Sequence, residues 1–165
     1  MRLVLILHNI RSALNVGSIF RTADAVGVEK IYLGGYTPTP DTEGNPSSPP
    51  SSGSSSKLSK TALGAEKAVP WEHVSQTWRI LEQLKKEKYQ IVALEQSKGS
   101  IDYRKFKPKF PLVLVVGNEL TGLSSQLLKY CDAVVEIPMR GKKESLNVSV
   151  AVGIALYSLT WSRSD

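Results

Sequence analysis

Ile137-Pro138-Met139-Arg140-Gly141-Lys142-Lys143-Glu144-Ser145-Leu146-Asn147-Val148-Ser149-Val150-Ala151 is the stretch whose reading decides the fold. Ala133 to Ile137 reads as a strand, and Pro138 ends it because proline lacks the N–H that a sheet ladder needs. A polar, basic loop with one glycine follows. Ser145-Leu146-Asn147 then opens a long run of small and apolar residues. Ser and Asn side chains accept bonds from the unpaired N–H groups of a helix start. The loop is thus delivered to the positive end of a helix, which suits a polar or anionic ligand.

That helix is expected over Asn147 to Trp161. Val148, Val152, Ala155 and Leu159 form one apolar stripe, and Val150, Ile154, Tyr157 and Trp161 form another. Apolar residues on nearly all sides call for burial on nearly all sides. A sheet can cover one stripe; a second copy of the chain is the simplest cover for the other.

Working back towards the N-terminus, Leu3 to Leu7 is a continuous apolar run, as in a strand buried on both faces of a parallel sheet. A helix is expected from Ser18 to Val26, closed by Gly27, and a second strand from Lys30 to Leu33. This β–α–β order implies a right-handed crossover. Gln90 to Glu95 and Leu112 to Val116 read as further strands, Val74 to Lys88 as an amphipathic helix, and Ser124 to Lys129 as a short helix. Lys57 to Lys67 reads as a short ordered segment. The stretch from Thr37 to Ser56 mixes five prolines with glycine and serine, lacks a hydrophobic period, and is expected to be a flexible insertion within a single domain. The expected fold class is α/β, a mostly parallel sheet flanked by helices.

The whole chain narrows the function. It has 165 residues, 41% of them hydrophobic, with 21 Lys plus Arg against 15 Asp plus Glu. The net charge of +6 favours a polyanionic partner. One cysteine, Cys131, excludes an internal disulfide and a multi-cysteine zinc site. His8 and His73 stand far apart without metal-ligand spacing. No apolar run reaches membrane-spanning length, and the start carries no secretory pattern. A cytoplasmic protein without metal is expected. No GxGxxG follows the first strand, which argues against a dinucleotide enzyme.

Three loops carry candidate chemistry. Gly117-Asn118-Glu119-Leu120-Thr121-Gly122-Leu123 follows an apolar strand, where open α/β sheets collect ligands. Asn15-Val16-Gly17-Ser18-Ile19-Phe20-Arg21 sets Asn15 at the mouth of the expected helix and Arg21 one turn in. That is a phosphate cradle, or equally a capped helix with a surface arginine. The third loop is Arg140 to Asn147. Lys105-Phe106-Lys107-Pro108-Lys109-Phe110 interleaves cations with aromatics, as an RNA contact or a solvated loop.

Taken in order, Asn15–Ala23, Val116–Leu123 and Ile137–Ala151 resemble the SPOUT superfamily, in its TrmH/SpoU branch of RNA ribose 2′-O-methyltransferases. The resemblance spans nearly the whole chain outside the Pro/Ser-rich insertion. It implies a deep C-terminal trefoil knot and a homodimer packed through the last helix. It implies S-adenosylmethionine as methyl donor, held around Leu94, Gly117, Asn118, Ile137, Met139, Ser145 and Leu146. Arg21 is implied as the catalytic residue that contacts RNA and helps activate the 2′-hydroxyl, in a site completed by the partner chain. Asn15 then orients Arg21 or the RNA, Glu119 supports the site and pairs with Arg21, and Ser145 and Asn147 organise cofactor and ribose. Arg11, Lys60, Arg140 and Lys142 join Arg21 as RNA contacts, with tRNA favoured over rRNA. Two rivals stay open: a knotted RNA-binding protein without activity, and a methyltransferase acting on a base nitrogen.

Overall fold

Leu3 to Leu7 has no polar side chain to offer water, and the computed structural model, which describes residues 1–40 and 54–161, buries it inside a sheet. β1 (Leu3–His8) pairs in parallel with β2 (Lys30–Gly34) on one side and with β6 (Leu112–Val116) on the other. The sheet has seven strands in the order β3-β2-β1-β6-β4-β7-β5, with β3 at Trp71–Val74, β4 at Gln90–Leu94, β5 at Ile101–Asp102 and β7 at Ala133–Glu136. Every pairing is parallel. The side-chain period of two then splits the core. Leu3, Leu5, Leu7, Leu112 and Leu114 belong to one apolar layer, and Val4, Ile6, Val113 and Val115 to the other.

The first layer is covered by α1 (Ala13–Val26) and α6 (Val148–Trp161), which pack against each other. The second is covered by α4 (Thr77–Lys86) and the single turn α5 (Ser125–Leu128). α2 (Ser54–Ala62) and α3 (Ala65–Ala68) pack on α1. Gly17 permits that approach: a Cβ there would sit 2.1 Å from the Leu58 carbonyl oxygen and from Thr61 Oγ1. The chain goes outward from β1 through β2 to β3, and the later strands lie on the other side. β6 inserts between β1 and β4, and after β7 the chain returns to lay α6 on α1.

Several boundaries differ from the sequence reading. α1 starts at Ala13, not Ser18, because Ser12 caps it, its side chain accepting from Asn15 N at 3.2 Å. Asn15 therefore lies in the first turn, and Gly17 is a helix-packing residue. β3 takes Val74, the first residue assigned to the amphipathic helix, which begins at Thr77. β3 and β5 were not expected as strands; both are short edge strands whose pairing is decided by neighbours. The expected insertion falls mostly on residues 41–53, outside the described residues. At its margins Thr37 is buried and Ser54 opens α2.

Candidate active site

Carboxyl ends of parallel strands leave a crevice, and here β4, β6 and β7 end around a cleft of about 380 Å³. Its lining includes Leu94, Gly117, Asn118, Glu119, Ile137, Met139, Ser145 and Leu146. The second and third motifs thus line one cavity, and side chains tie the first motif and the backbone leading into it to both.

Glu119 ties the second motif to the backbone that leads into the first. Its carboxylate accepts from Arg11 N at 3.1 Å and Ser12 N at 3.3 Å, just ahead of α1. A carboxylate there also meets the positive end of the helix dipole. The expected Glu119–Arg21 pair is absent, for a geometric reason. Arg21 lies nine residues past Ser12, about 13 Å along the axis at 1.5 Å per residue. The tie between the first and third motifs is Asn147. Its Nδ2 donates to Asn15 Oδ1 at 3.1 Å, while its Oδ1 accepts from Ser149 N at 2.9 Å and so caps α6.

Asn118 is the centre of the Gly117–Leu123 turn. It is 7% exposed. Its Oδ1 accepts from Leu120 N at 2.8 Å and Thr121 N at 2.9 Å, and its Nδ2 donates to Asn9 O and to Tyr36 Oη, both at 2.9 Å. Its side chain is thus spent on the loop, leaving only its backbone to face a ligand. Gly122 sits at φ +66°, and a Cβ there would fall 2.2 Å from Glu95 Oε2, which accepts from Leu123 N. Behind this turn, Asn9 Nδ2 lies 3.2 Å from His8 Nε2 and Thr77 Oγ1 lies 2.7 Å from His8 Nδ1. An amide donor on Nε2 leaves the proton on Nδ1, the neutral imidazole. Burial accordingly pushes the His8 pKa below its usual value.

Arg21 does not line its own chain's cleft. It is exposed on α1. A rotation of 100° per residue puts it between Gly17, which faces α2, and Thr22, which faces Gly153 of α6. Asn15 and Arg21 therefore do not share a face, and direct orientation of one by the other is ruled out within one chain. Arg11, Arg140 and Lys142 are exposed around the cleft, and Lys60 is exposed on α2. Phe106 and Phe110 pack against the core, so the neighbouring lysines form a solvated loop without a stacking surface. Cys131 is half-buried, and burial pushes its thiol up to about 11, which keeps it protonated.

Sequence reasoning missed Glu95, Gln96, Glu136 and Glu144, which also line the cleft. The one available signal was a carboxylate directly after the β4 run. With Glu119 they place four carboxylates around the cavity, a donor set suited to a cationic ligand. Leu94, Ile137, Met139 and Leu146 supply apolar wall for a flat ring. Among the described residues, no cluster of His, Cys, Asp and Glu could hold a metal ion, and no helix is long and apolar enough to cross a membrane.

Comparison with known proteins agrees with this geometry. The model of the SpoU rRNA methylase family matches residues 2–157. A tRNA (guanosine(18)-2′-O)-methyltransferase of Aquifex aeolicus is 36% identical over 99% of this chain and 71% of its own length. The AdoMet-bound rRNA methyltransferase of Sinorhizobium meliloti superposes with a TM-score of 0.84 at 29% identity, over 99% of this chain and 57% of that one. A structure described as giving insights into the 2-OH methylation of C/U34 on tRNA superposes with a TM-score of 0.76 at 26% identity, over 98% of this chain and 95% of that one. Other curated relatives are spanned over 59–60% of their length. The fold is the α/β SPOUT type, the class to which the trefoil knot belongs. The chain belongs to the SpoU rRNA methylase family, the TrmH/SpoU branch of the SPOUT superfamily.

Proposed function

We propose that this chain is an S-adenosylmethionine-dependent RNA methyltransferase that modifies a ribose 2′-hydroxyl, acting on tRNA as a homodimer in the cytoplasm. The observation that carries the reading is the convergence of the second and third motifs on one cleft, fastened by Glu119 to the backbone just ahead of α1 and by Asn147 to Asn15. The Aquifex and Sinorhizobium relatives support the chemistry and the cofactor. tRNA is favoured because the Aquifex relative is named as a tRNA methyltransferase and a second relative is described through tRNA methylation.

S-adenosylmethionine, when bound, supplies a methyl group on a cationic sulfonium. The glutamates of the cleft fit that charge, and the backbone around Leu94, Gly117, Ile137 and Leu146, with Met139 and Ser145, holds the nucleoside part. Asn15 and Asn147 fix the first and third motifs relative to each other, so that a ribose held there meets the cleft in one orientation. A guanidinium is a poor base near neutral pH. Arg21 therefore fixes the RNA phosphate and stabilises charge developing on the 2′-oxygen.

The position of Arg21 away from its own cleft supports a site completed by the partner. Val150, Tyr157 and Trp161 of α6 are 50%, 53% and 78% exposed, an apolar stripe suited to a second copy. Labelled-methyl transfer to tRNA and rRNA, followed by nucleoside analysis, tests the reading. Transfer to a ribose is expected; a methylated base, or no transfer, overturns it. Arg21→Ala should lower turnover by about 10²-fold or more while cofactor affinity stays within about twofold.

A further inference from the structure

Tyrosine ordinarily buries its ring and leaves its hydroxyl at the water. Tyr36 does the reverse. Its hydroxyl accepts from the buried Asn118 amide at 2.9 Å, while the residue is 60% exposed. Outside α6, no aromatic residue among those described is more exposed.

The ring is also mounted on fixed backbone. Tyr36 N donates to Asn9 Oδ1 at 3.2 Å. On one side, Gly35 N donates to Val74 O at 2.9 Å, and His73 Nε2 lies 2.7 Å from Gly35 O. On the other, Thr37 is buried, its hydroxyl donating towards Leu7 O and Gly34 O and accepting from Ile10 N at 3.1 Å. Next to Ile10 stands the exposed Arg11, whose backbone is held by Glu119 at the cleft. An exposed aromatic ring together with a basic residue on the adjoining loop is the kind of surface that binds single-stranded nucleic acid. It stands at the edge of the turn that lines the cleft.

We propose that Tyr36 is a stacking platform for a nucleobase of the substrate RNA next to the methylated ribose, held in place by Asn118. This rests on the methyltransferase reading above. A pre-positioned ring loses little freedom when a base stacks on it. Because its anchor is also the centre of the cofactor turn, Tyr36 aligns the RNA with the same turn that shapes the cleft.

The test uses the full chain with bulk tRNA, read by direct binding and by methyl transfer. Y36L removes the ring and should weaken tRNA binding and raise its KM by about 5- to 100-fold, as for loss of one stacked base. Its kcat at saturating tRNA should fall less than about threefold, and its affinity for S-adenosylmethionine should stay within about twofold. Y36F, which keeps the aromatic face but loses the bond to Asn118, should restore part of the tRNA affinity and bind tRNA more tightly than Y36L. Unchanged tRNA binding by Y36L overturns the proposal. So does a loss of cofactor affinity equal to the loss of RNA affinity, which makes Tyr36 only a brace for Asn118. A dissociated dimer on sedimentation assigns the ring to a contact between copies and also overturns it. Binding is read directly, so the platform is tested even if the wild type transfers no methyl group; that result would remove the enzymatic reading alone.

Discussion

The turn Gly117–Leu123 and the loop Pro138–Asn147 line the same cleft, yet they are held by different means. In the turn, Asn118, Glu95 and Glu119 spend their side chains on backbone N–H groups, and Gly122 takes a left-handed conformation. In the loop, no residue from Pro138 to Leu146 hydrogen-bonds or ion-pairs with another described residue; only Asn147 closes it onto α1. One wall is built by the fold, and the other has polar groups left over for a ligand. Changes in the turn should therefore register first as lost stability, and changes in the loop as lost affinity.

The sharpest test compares two glycines. Gly122→Ala forces an L side chain into φ +66° and places its Cβ 2.2 Å from Glu95 Oε2, so the Leu123 N bond to that carboxylate must break. Urea unfolding should show a loss of about 2–4 kcal/mol, with loss of cofactor binding. Gly141→Ala meets nothing within 4 Å and should stay within about 0.5 kcal/mol of wild type. Equal effects at the two positions would erase the distinction.

A smaller contrast separates Asn118 from Ser145. Asn118→Ala removes the acceptor of Leu120 N and Thr121 N and the donor to the Asn9 carbonyl, all in part-buried bonds. It should cost about 2–3 kcal/mol of stability. Ser145 is exposed and unbonded to other described residues. Ser145→Ala should leave the midpoint of unfolding in place and weaken cofactor binding about 3- to 10-fold, measured by calorimetry.

The same contrast explains what the sequence made legible. The strands β1, β4 and β6 were readable because each carries an apolar run long enough to need burial on both faces. The loop with Ser145 and Asn147 was readable because its residues act locally, as caps and ligand groups. The ties were not. Glu119 reaching Arg11 and Asn118 reaching Asn9 and Tyr36 join residues 108, 109 and 82 positions apart, and no local pattern encodes such a pairing. α1 was read as starting late for a related reason. Gly17 looks like a loop residue until α2 is seen to need its missing side chain. Arg21 was identified by its motif, but its distance from its own cleft follows only from the true start of the helix.

The smallest effect concerns acid. His8 braces the turn from behind: its Nε2 takes the Asn9 amide, and the Asn9 carbonyl takes Asn118. Burial lowers the folded-state pKa of His8 below 6.5. The unfolded chain then takes up the proton first as pH falls, so below about 6.5 the unfolded state gains stability relative to the folded one. The contribution of His8 is complete above that value and is lost as pH drops towards the folded-state pKa. Protonation also removes the acceptor that holds Asn9, so the loss falls on the built wall. Urea midpoints between pH 7.5 and 5.5 should decline for the wild type and decline less for His8→Gln, which cannot titrate. An identical decline in both proteins would show that other groups set the acid response, and that the turn does not depend on a neutral imidazole behind it.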